Sequence, residues 1–406
     1  MRMFWEKIKK VLPQVTPAAA ADQKAVPEPG GAAAKRSYGP DLFLLTVVVL
    51  ILTIGIVMVT SAGYIIAAAK HGDGFYFTKK QGLAMLAGLG IMYLFSLINP
   101  NFWKKVAVPL MAVGMIGLLL VFVPGIGVEL GGSSRWVRLP FGFFLQPSEL
   151  IKYALIIFIA RSLAKKGDGI RDFAVGFLPH VLVMVAVVFV ILMQPDFGTA
   201  VILTVVGFLM LFVAGVRIQH LLGSMILCLP FVIYIAVSAQ YRVARLKTFL
   251  DPWGEPLKSG FQIIQSLIAF ACGGLSGVGI GKGIQKLYYL PQPHTDFIFS
   301  VVGEELGLLG VFLLIFLFYL LIWRGLTTAI RCSDTFQRYL AFGITSLIGL
   351  QAMVNMSVAM GLLPTKGLPL PLVSLGGTSL VMSLAGLGIL MAISKNAQVP
   401  AKEERP

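Results

Sequence analysis

Ten times along this chain an apolar run recurs that is long enough to cross about 30 Å of hydrocarbon at about 1.5 Å per residue. The runs lie near residues 43–65, 81–98, 106–124, 147–164, 173–193, 197–215, 219–238, 297–323, 337–361 and 372–394. Only 13% of the 406 residues are charged and 57% are hydrophobic, whereas a soluble domain carries roughly 25% charged residues. Water is a poor solvent for such a surface, and a bilayer a good one. The expected fold is an all-α polytopic membrane protein of about ten transmembrane helices.

An even number of spans puts both termini on one side, and lysine and arginine say which side. With the termini inside, 20 of the 33 basic residues fall in inner segments and 12 in outer loops, with Lys152 inside a span. Both termini are therefore expected in the cytoplasm. Residues 1–40 read as a cytoplasmic segment, an amphipathic helix over 1–12 followed by an Ala/Pro-rich linker. Residues 41–395 form the membrane domain, and 396–406 a cytoplasmic tail. The cysteines Cys228, Cys272 and Cys332 lie in or beside apolar stretches without CxxC spacing and read as buried filler.

The exception to the charge bias is the large extracytoplasmic loop between spans seven and eight, about residues 239–296. It holds Arg242, Arg245, Lys247, Lys258, Lys282 and Lys286. A basic loop beside a membrane suits an anionic ligand such as a phosphate, although a loop this long also escapes the charge rule. Its run Gly277-Val278-Gly279-Ile280-Gly281-Lys282-Gly283 can turn backbone N–H groups toward a phosphate, but it matches no nucleotide fingerprint. The stretch from Phe261 to Ala271 is too apolar for an ordinary solvated loop and is expected to lie on or re-enter the bilayer.

Asp296 closes this loop where span eight begins. Either it caps the helix, a job Thr295 beside it would do equally well, or it is a general base at the water–lipid boundary, next to His294 and the basic residues. Glu304 and Glu305, two turns deeper, need partners if ionised, and helical spacing puts neither on one face with Asp296. Glu149 and Lys152, three apart in span four, read as an ion pair or as a functional intramembrane pair. Asp196 is expected to cap span six or to pair with Arg135 or Arg138. The last outer loop carries Lys366 among turn formers and small hydroxyl residues that permit close helix approach.

At these positions the chain resembles a known family. Asp251-Pro252-Trp253, Gln265-Ser266-Leu267, Gln285-Lys286-Leu287, His294-Thr295-Asp296-Phe297 and Gly303-Glu304-Glu305-Leu306-Gly307 closely resemble the SEDS proteins of shape, elongation, division and sporulation. Ser133-Arg135-Trp136, Gln146-Pro147-Ser148-Glu149-Lys152, Gln194-Pro195-Asp196-Phe197-Gly198-Thr199 and the Gly376-Gly377 loop match in the same order. The N-terminal extension and Asp251-Pro252-Trp253 favour the division-type branch over the elongation type, while Leu375 and Thr378 depart from the usual pattern.

The resemblance implies a peptidoglycan glycosyltransferase that polymerises lipid II on the outer face of the bacterial inner membrane, at the division septum. It puts the catalytic base at Asp296 and substrate contacts at Arg135 and Lys152, with Glu149 orienting Lys152. Arg242 and Arg245, by location, and His294 and Lys366 complete the expected substrate set. It leaves room for a divalent cation such as Mg2+ or Mn2+ on the diphosphate. Expected partners are a class B penicillin-binding transpeptidase and other division proteins, with no nucleic acid. The competing reading is a lipid II flippase, whose mark would be corresponding broken helices meeting at the midplane; the sequence shows no such pair.

Overall fold

The structure, a computed structural model, describes residues 41–397 apart from 131–132, 139–143, 238–239, 257–259, 288–289 and 366. The expected N-terminal segment and residues 398–406 lie outside the described residues. Among the described residues there are twelve α-helices: α1 (Leu42–His71), α2 (Tyr76–Leu97), α3 (Asn101–Leu120), α4 (Pro147–Lys166), α5 (Leu178–Met193), α6 (Phe197–Val213), α7 (Ile218–Val237), α8 (Gln240–Leu250), α9 (Phe261–Gly273), α10 (Ile298–Arg331), α11 (Thr335–Ala359) and α12 (Gly377–Ala397). Each of the ten expected spans coincides with one of them. Among the described residues seven helices are long and apolar enough to cross a membrane: α1, α2, α3, α5 with the turn before it, α10, α11 and α12. Helix α6 and the start of α7 are apolar but shorter.

Helix α4 is polar for a membrane helix because it does not face lipid. Ile151, Leu155, Ile156, Ile157 and Ile159 are sealed, and its neighbours are α3, α11, α6 and α12. By contrast α2 turns Leu83, Leu86, Leu94 and Leu97 outward, an apolar face that hydrocarbon satisfies. The packing of α2 on α12 is close because glycines face it: a Cβ on Gly88 would meet Leu384, and one on Gly388 the backbone of Met92.

Local chemistry sets the helix starts. Asp41 Oδ1 accepts from Leu44 N (3.1 Å), while its Oδ2 accepts from Arg324 Nε (2.7 Å), tying α1 to α10. Asp334 Oδ1 caps α11 through Gln337 N. Asp196 takes the capping role rather than an ion pair: its Oδ1 accepts from Thr199 N (3.2 Å) and its Oδ2 from Thr199 Oγ1 (2.8 Å).

Two features were not foreseen. Between α3 and α4 the chain forms a small antiparallel sheet, β1 (Gly127–Leu130), β2 (Ser133–Arg138) and β3 (Phe144–Leu145). Its first two strands flank Gly131-Gly132 in the sequence, a dipeptide that hairpin turns favour. The described part of the region 239–296 contains α8 and α9; the apolar stretch from Phe261 to Ala271, expected to lie on or re-enter the bilayer, is helix α9, packed on α10. The cysteine reading also needs correction: all three thiols are free, but Cys228 and Cys272 are exposed and Cys332 alone is buried. Cys228 on α7 and Cys272 on α9 sit at exposed positions of apolar helices.

Candidate active site around Asp296

Helix α10 does not begin at Asp296. Phe297 occupies the N-cap position and no side chain caps the helix; Thr295 Oγ1 instead donates back to Gln292 O and Oε1. The capping role considered for Asp296 and Thr295 is therefore excluded. The Asp296 carboxylate is partly buried and accepts no hydrogen bond among the described residues. Burial pushes its pKa up to about 6, against the pull of Arg245 and Arg135.

What holds Asp296 is its backbone. Three consecutive carbonyls are each taken by a different donor. His294 O accepts from Leu375 N (2.9 Å), Thr295 O from Ser374 Oγ (2.6 Å), and Asp296 O from Asn355 Nδ2 (2.9 Å). Two of these donors lie in the loop between α11 and α12, and the third on α11. Ser374 is itself fixed, since its Oγ accepts from Leu370 N and its carbonyl from Gln81 Nε2. Gly367 of the same loop borders the carboxylate closely: a Cβ there would lie 3.3 Å from Asp296 Oδ2.

The structure brings Arg135 and Arg245 to this carboxylate. Arg135 on β2 donates from Nε to Gln194 O (3.2 Å) and from Nη2 to Pro195 O (2.6 Å), so the hairpin is docked on the α5–α6 turn. Arg245 on α8 reaches Thr365 O (3.3 Å). Arg135 thus ties the hairpin to the α5–α6 turn, and Arg245 ties α8 to the loop between α11 and α12.

Lys152 is present but differently placed. It is 2% exposed, with Nζ 2.8 Å from Glu149 Oε1 and 3.1 Å from Gln351 Oε1. Gln351 Nε2 in turn donates to Pro369 O (3.2 Å). One turn along α11, Asn355 donates to Leu368 O (2.6 Å) as well as to Asp296 O. The Glu149–Lys152 pair is therefore connected to the Asp296 loop through α11. Gln351 and Asn355 were missed from sequence; a Gln and an Asn four apart in an apolar span were the available signal.

His294 stacks on Phe77 at 4.6 Å between ring centroids. Burial, with Lys70 nearby, pushes its pKa down to about 4, so it is neutral at physiological pH. The Arg242 side chain and Lys366 lie outside the described residues.

The glycine-rich run proves to serve an anion from within. Ile284 N (2.7 Å) and Gln285 N (3.1 Å) donate to Glu304 Oε1, and Gly281 N donates to Glu305 Oε2 (3.1 Å). Val278 N and Gly279 N take the carbonyls of Glu304 and Glu305. Lys286, counted among the outer cations, is buried and pairs with Glu305, with Ser61 of α1 bonded to both. The expectation of an external phosphate on this run is thus corrected: the N–H groups of Gly277, Val278, Gly279, Gly281 and Lys282 are all taken within the chain. Gly307 (φ 65) breaks α10 there, and a Cβ on it would lie 2.3 Å from Gly277 N.

With this geometry in view, comparison with known proteins is decisive. The chain matches the FtsW/RodA/SpoVE family, described as a cell cycle protein family, over residues 41–399. It belongs to that family. "Probable peptidoglycan glycosyltransferase FtsW" of Geobacter sp. (strain M18) is 47% identical over 360 residues, covering 89% of this chain and 98% of that protein. Stage V sporulation protein E of Bacillus subtilis is 40% identical over 362 residues, again 89% and 98%. Among solved structures, a chain from work on a peptidoglycan synthase complex that coordinates polymerization and crosslinking superposes with a TM-score of 0.74 at 31% identity, covering 89% and 99%. Rod shape determining protein RodA of Thermus thermophilus gives 0.66 at 28%, covering 89% and 98%. Within the FtsW/RodA/SpoVE family the relatives favour FtsW over RodA.

Proposed function

We propose that this chain is a peptidoglycan glycosyltransferase that polymerises lipid II, with Asp296 as the general base. The observation that carries the reading is a carboxylate whose backbone carbonyl is held by Asn355, whose side chain has no hydrogen bond among the described residues, and whose charge Arg245 and Arg135 favour, at the start of a membrane helix. With a pKa of about 6 it is ionised at neutral pH yet basic enough to accept a proton as an O–H bond breaks.

The acceptor sugar hydroxyl gives its proton to Asp296 as its oxygen attacks the anomeric carbon of the donor. The bond from that carbon to the diphosphate breaks, and the electron pair leaves with undecaprenyl diphosphate. Arg135 and Arg245, with Arg242 and Lys366, neutralise the charge that grows on the leaving diphosphate. A single displacement inverts the anomeric centre and needs no second carboxylate. Glu304 and Glu305 are engaged elsewhere, which agrees with that requirement.

Among the described residues no group of three or more His, Cys, Asp or Glu side chains gathers to hold a metal ion. A lone carboxylate flanked by arginines is a poor donor set for a resident divalent cation, and no step here is routed through one.

The chain is a multi-pass membrane protein. Residence in the bacterial inner membrane at the septum, and work beside a class B penicillin-binding transpeptidase and other division proteins, are part of the same proposal; the synthase-complex neighbour and the FtsW relatives support it. The test is purified chain with lipid II in detergent. Glycan polymer from the wild type and none from a folded Asp296→Asn variant is the expected result. Polymer at near wild-type rate from the variant overturns the role of Asp296, and no polymer from the wild type overturns the function.

A further inference from the structure

We propose that Asn355 is a positioning residue, whose side-chain amide staples the segment carrying Asp296 to the loop carrying Gly367 and so sets where the carboxylate sits against that loop. The inference rests on the reading of Asp296 as the base.

Asn355 is 2% exposed, and its Nδ2 donates to Asp296 O and to Leu368 O. Both amide hydrogens are spent on carbonyls from two separate chain segments. These fix the amide's orientation, because the flipped form would set Oδ1 against two carbonyl oxygens. Oδ1 is consequently buried with no hydrogen-bond partner among the described residues. An orphaned buried acceptor works against stability, so a side chain that only filled space would not carry one. The arrangement fits a residue retained for its two donors.

The placement of these donors is specific. Leu368 lies one residue from Gly367, the backbone neighbour of the Asp296 carboxylate, and a Cβ on Gly198 would meet Leu368. Gln351, one turn earlier on α11, holds Pro369 O in the same way. Helix α11 therefore registers residues 368–369 at two points and Asp296 at one. His294 and Thr295 are held by other donors. Losing Asn355 leaves the segment docked but frees the residue that carries the carboxylate. Among the described residues the charged groups that act on that carboxylate are Arg245 from α8 and Arg135 from β2; α11 presents the neutral Asn355 to its backbone and the loop presents Gly367.

The test uses the full chain, lipid II, and pH–rate profiles for wild type, Asn355→Ala and a control, Asn396→Ala, which removes a hydrogen bond to Gln337 in the last turn of α12. For Asn355→Ala, kcat should fall about 10- to 100-fold with KM little changed, as misplacement of a reacting group by about 1 Å does. The acid limb of its profile should move down toward the ordinary carboxylate range, because a loosened carboxylate gains water. The control should keep the wild-type limb. Rate loss that only tracks the folded fraction, with an unmoved acid limb, overturns the proposal, as does an unchanged rate. If Asn355→Ala does not insert, Asn355→Ser is measured in the same way, and the same two outcomes overturn the proposal. A wild type that makes no polymer removes the function and this inference together. An active wild type with an indifferent Asn355 variant removes the inference alone.

Discussion

Lys286 Nζ lies 2.5 Å from Glu305 Oε1, with both side chains sealed inside the protein, and Ser61 of α1 bonds to each partner. The pair joins α1, the glycine-rich segment and α10 just below the residue proposed as the base. Removing one member leaves an uncompensated buried charge, which costs about 3–5 kcal/mol. Thermal unfolding in detergent should show Lys286→Met and Glu305→Gln each strongly destabilised. The double variant should recover part of the loss, and a strictly additive loss would contradict direct coupling.

The carboxyl of Asp296 is raised from 3.8 to about 6 in the folded chain. A group raised in this way binds more protons folded than unfolded between roughly pH 4 and 6, so its ionisation works against stability as pH rises through that window. The polymerase rate should fall as pH drops through about 6, since the base is then protonated. Asp296→Asn should be inactive and more stable than wild type at pH 7 by on the order of 1–2 kcal/mol, a figure discounted because the carboxylate is partly exposed. Comparison of melting temperatures at pH 7 checks the sign.

Arg135 and Arg245 both hold the Asp296 carboxyl below where burial alone would put it. Arg135→Ala or Arg245→Ala should therefore move the acid limb of the rate profile upward, opposite to the direction expected for Asn355→Ala. A lysine at 135 cannot copy the planar fork that spans Gln194 O and Pro195 O. Arg135→Lys should accordingly retain the charge effect but lose affinity for the docked turn, visible as faster proteolysis of the hairpin.

Gly307 adopts φ 65 where α10 breaks, and Gly277 packs against it with φ 79. Alanine at either site adds strain of about 1–3 kcal/mol from the backbone alone, and here also meets backbone atoms. Gly307→Ala should lower folded yield far more than Gly90→Ala, since nothing lies within 4 Å of a Cβ on Gly90. Fluorescence-detected size-exclusion chromatography measures the difference.

The helices were legible because lipid is an undemanding solvent: any apolar run of sufficient length has few other options. Helix α4 was legible too, although Glu149 and Lys152 make it too polar to count by hydropathy. The hairpin at Gly127–Arg138 was missed because four and six residues carry little alternation, leaving Gly131-Gly132 as the main clue. The glycine-rich segment was misread for a different reason. Exposed N–H groups announce an anion but not its source, and here Glu304 and Glu305 of the same chain supply it. Asp296 owed its prominence to resemblance, since spacing alone left it between cap and base. Asn355 and Gln351 stayed hidden because their targets are backbone carbonyls, which every sequence has.

Helix α10 runs 34 residues, about 51 Å at 1.5 Å per residue, against roughly 30 Å of hydrocarbon. The break at Gly307 divides that length unequally. Its short first part is bound to the glycine-rich segment and to Ser61 of α1, and its long second part packs along α11 and is tied to Asp41 of α1 through Arg324. A bilayer that thickens or thins therefore acts mainly on the second part, which turns Leu309, Phe312, Leu313, Phe316 and Tyr319 outward, while the first part is sealed inside the protein. Polymerisation by this chain should accordingly vary less with acyl-chain length than its thermal stability does, an insulation of chemistry from membrane thickness provided by one left-handed glycine.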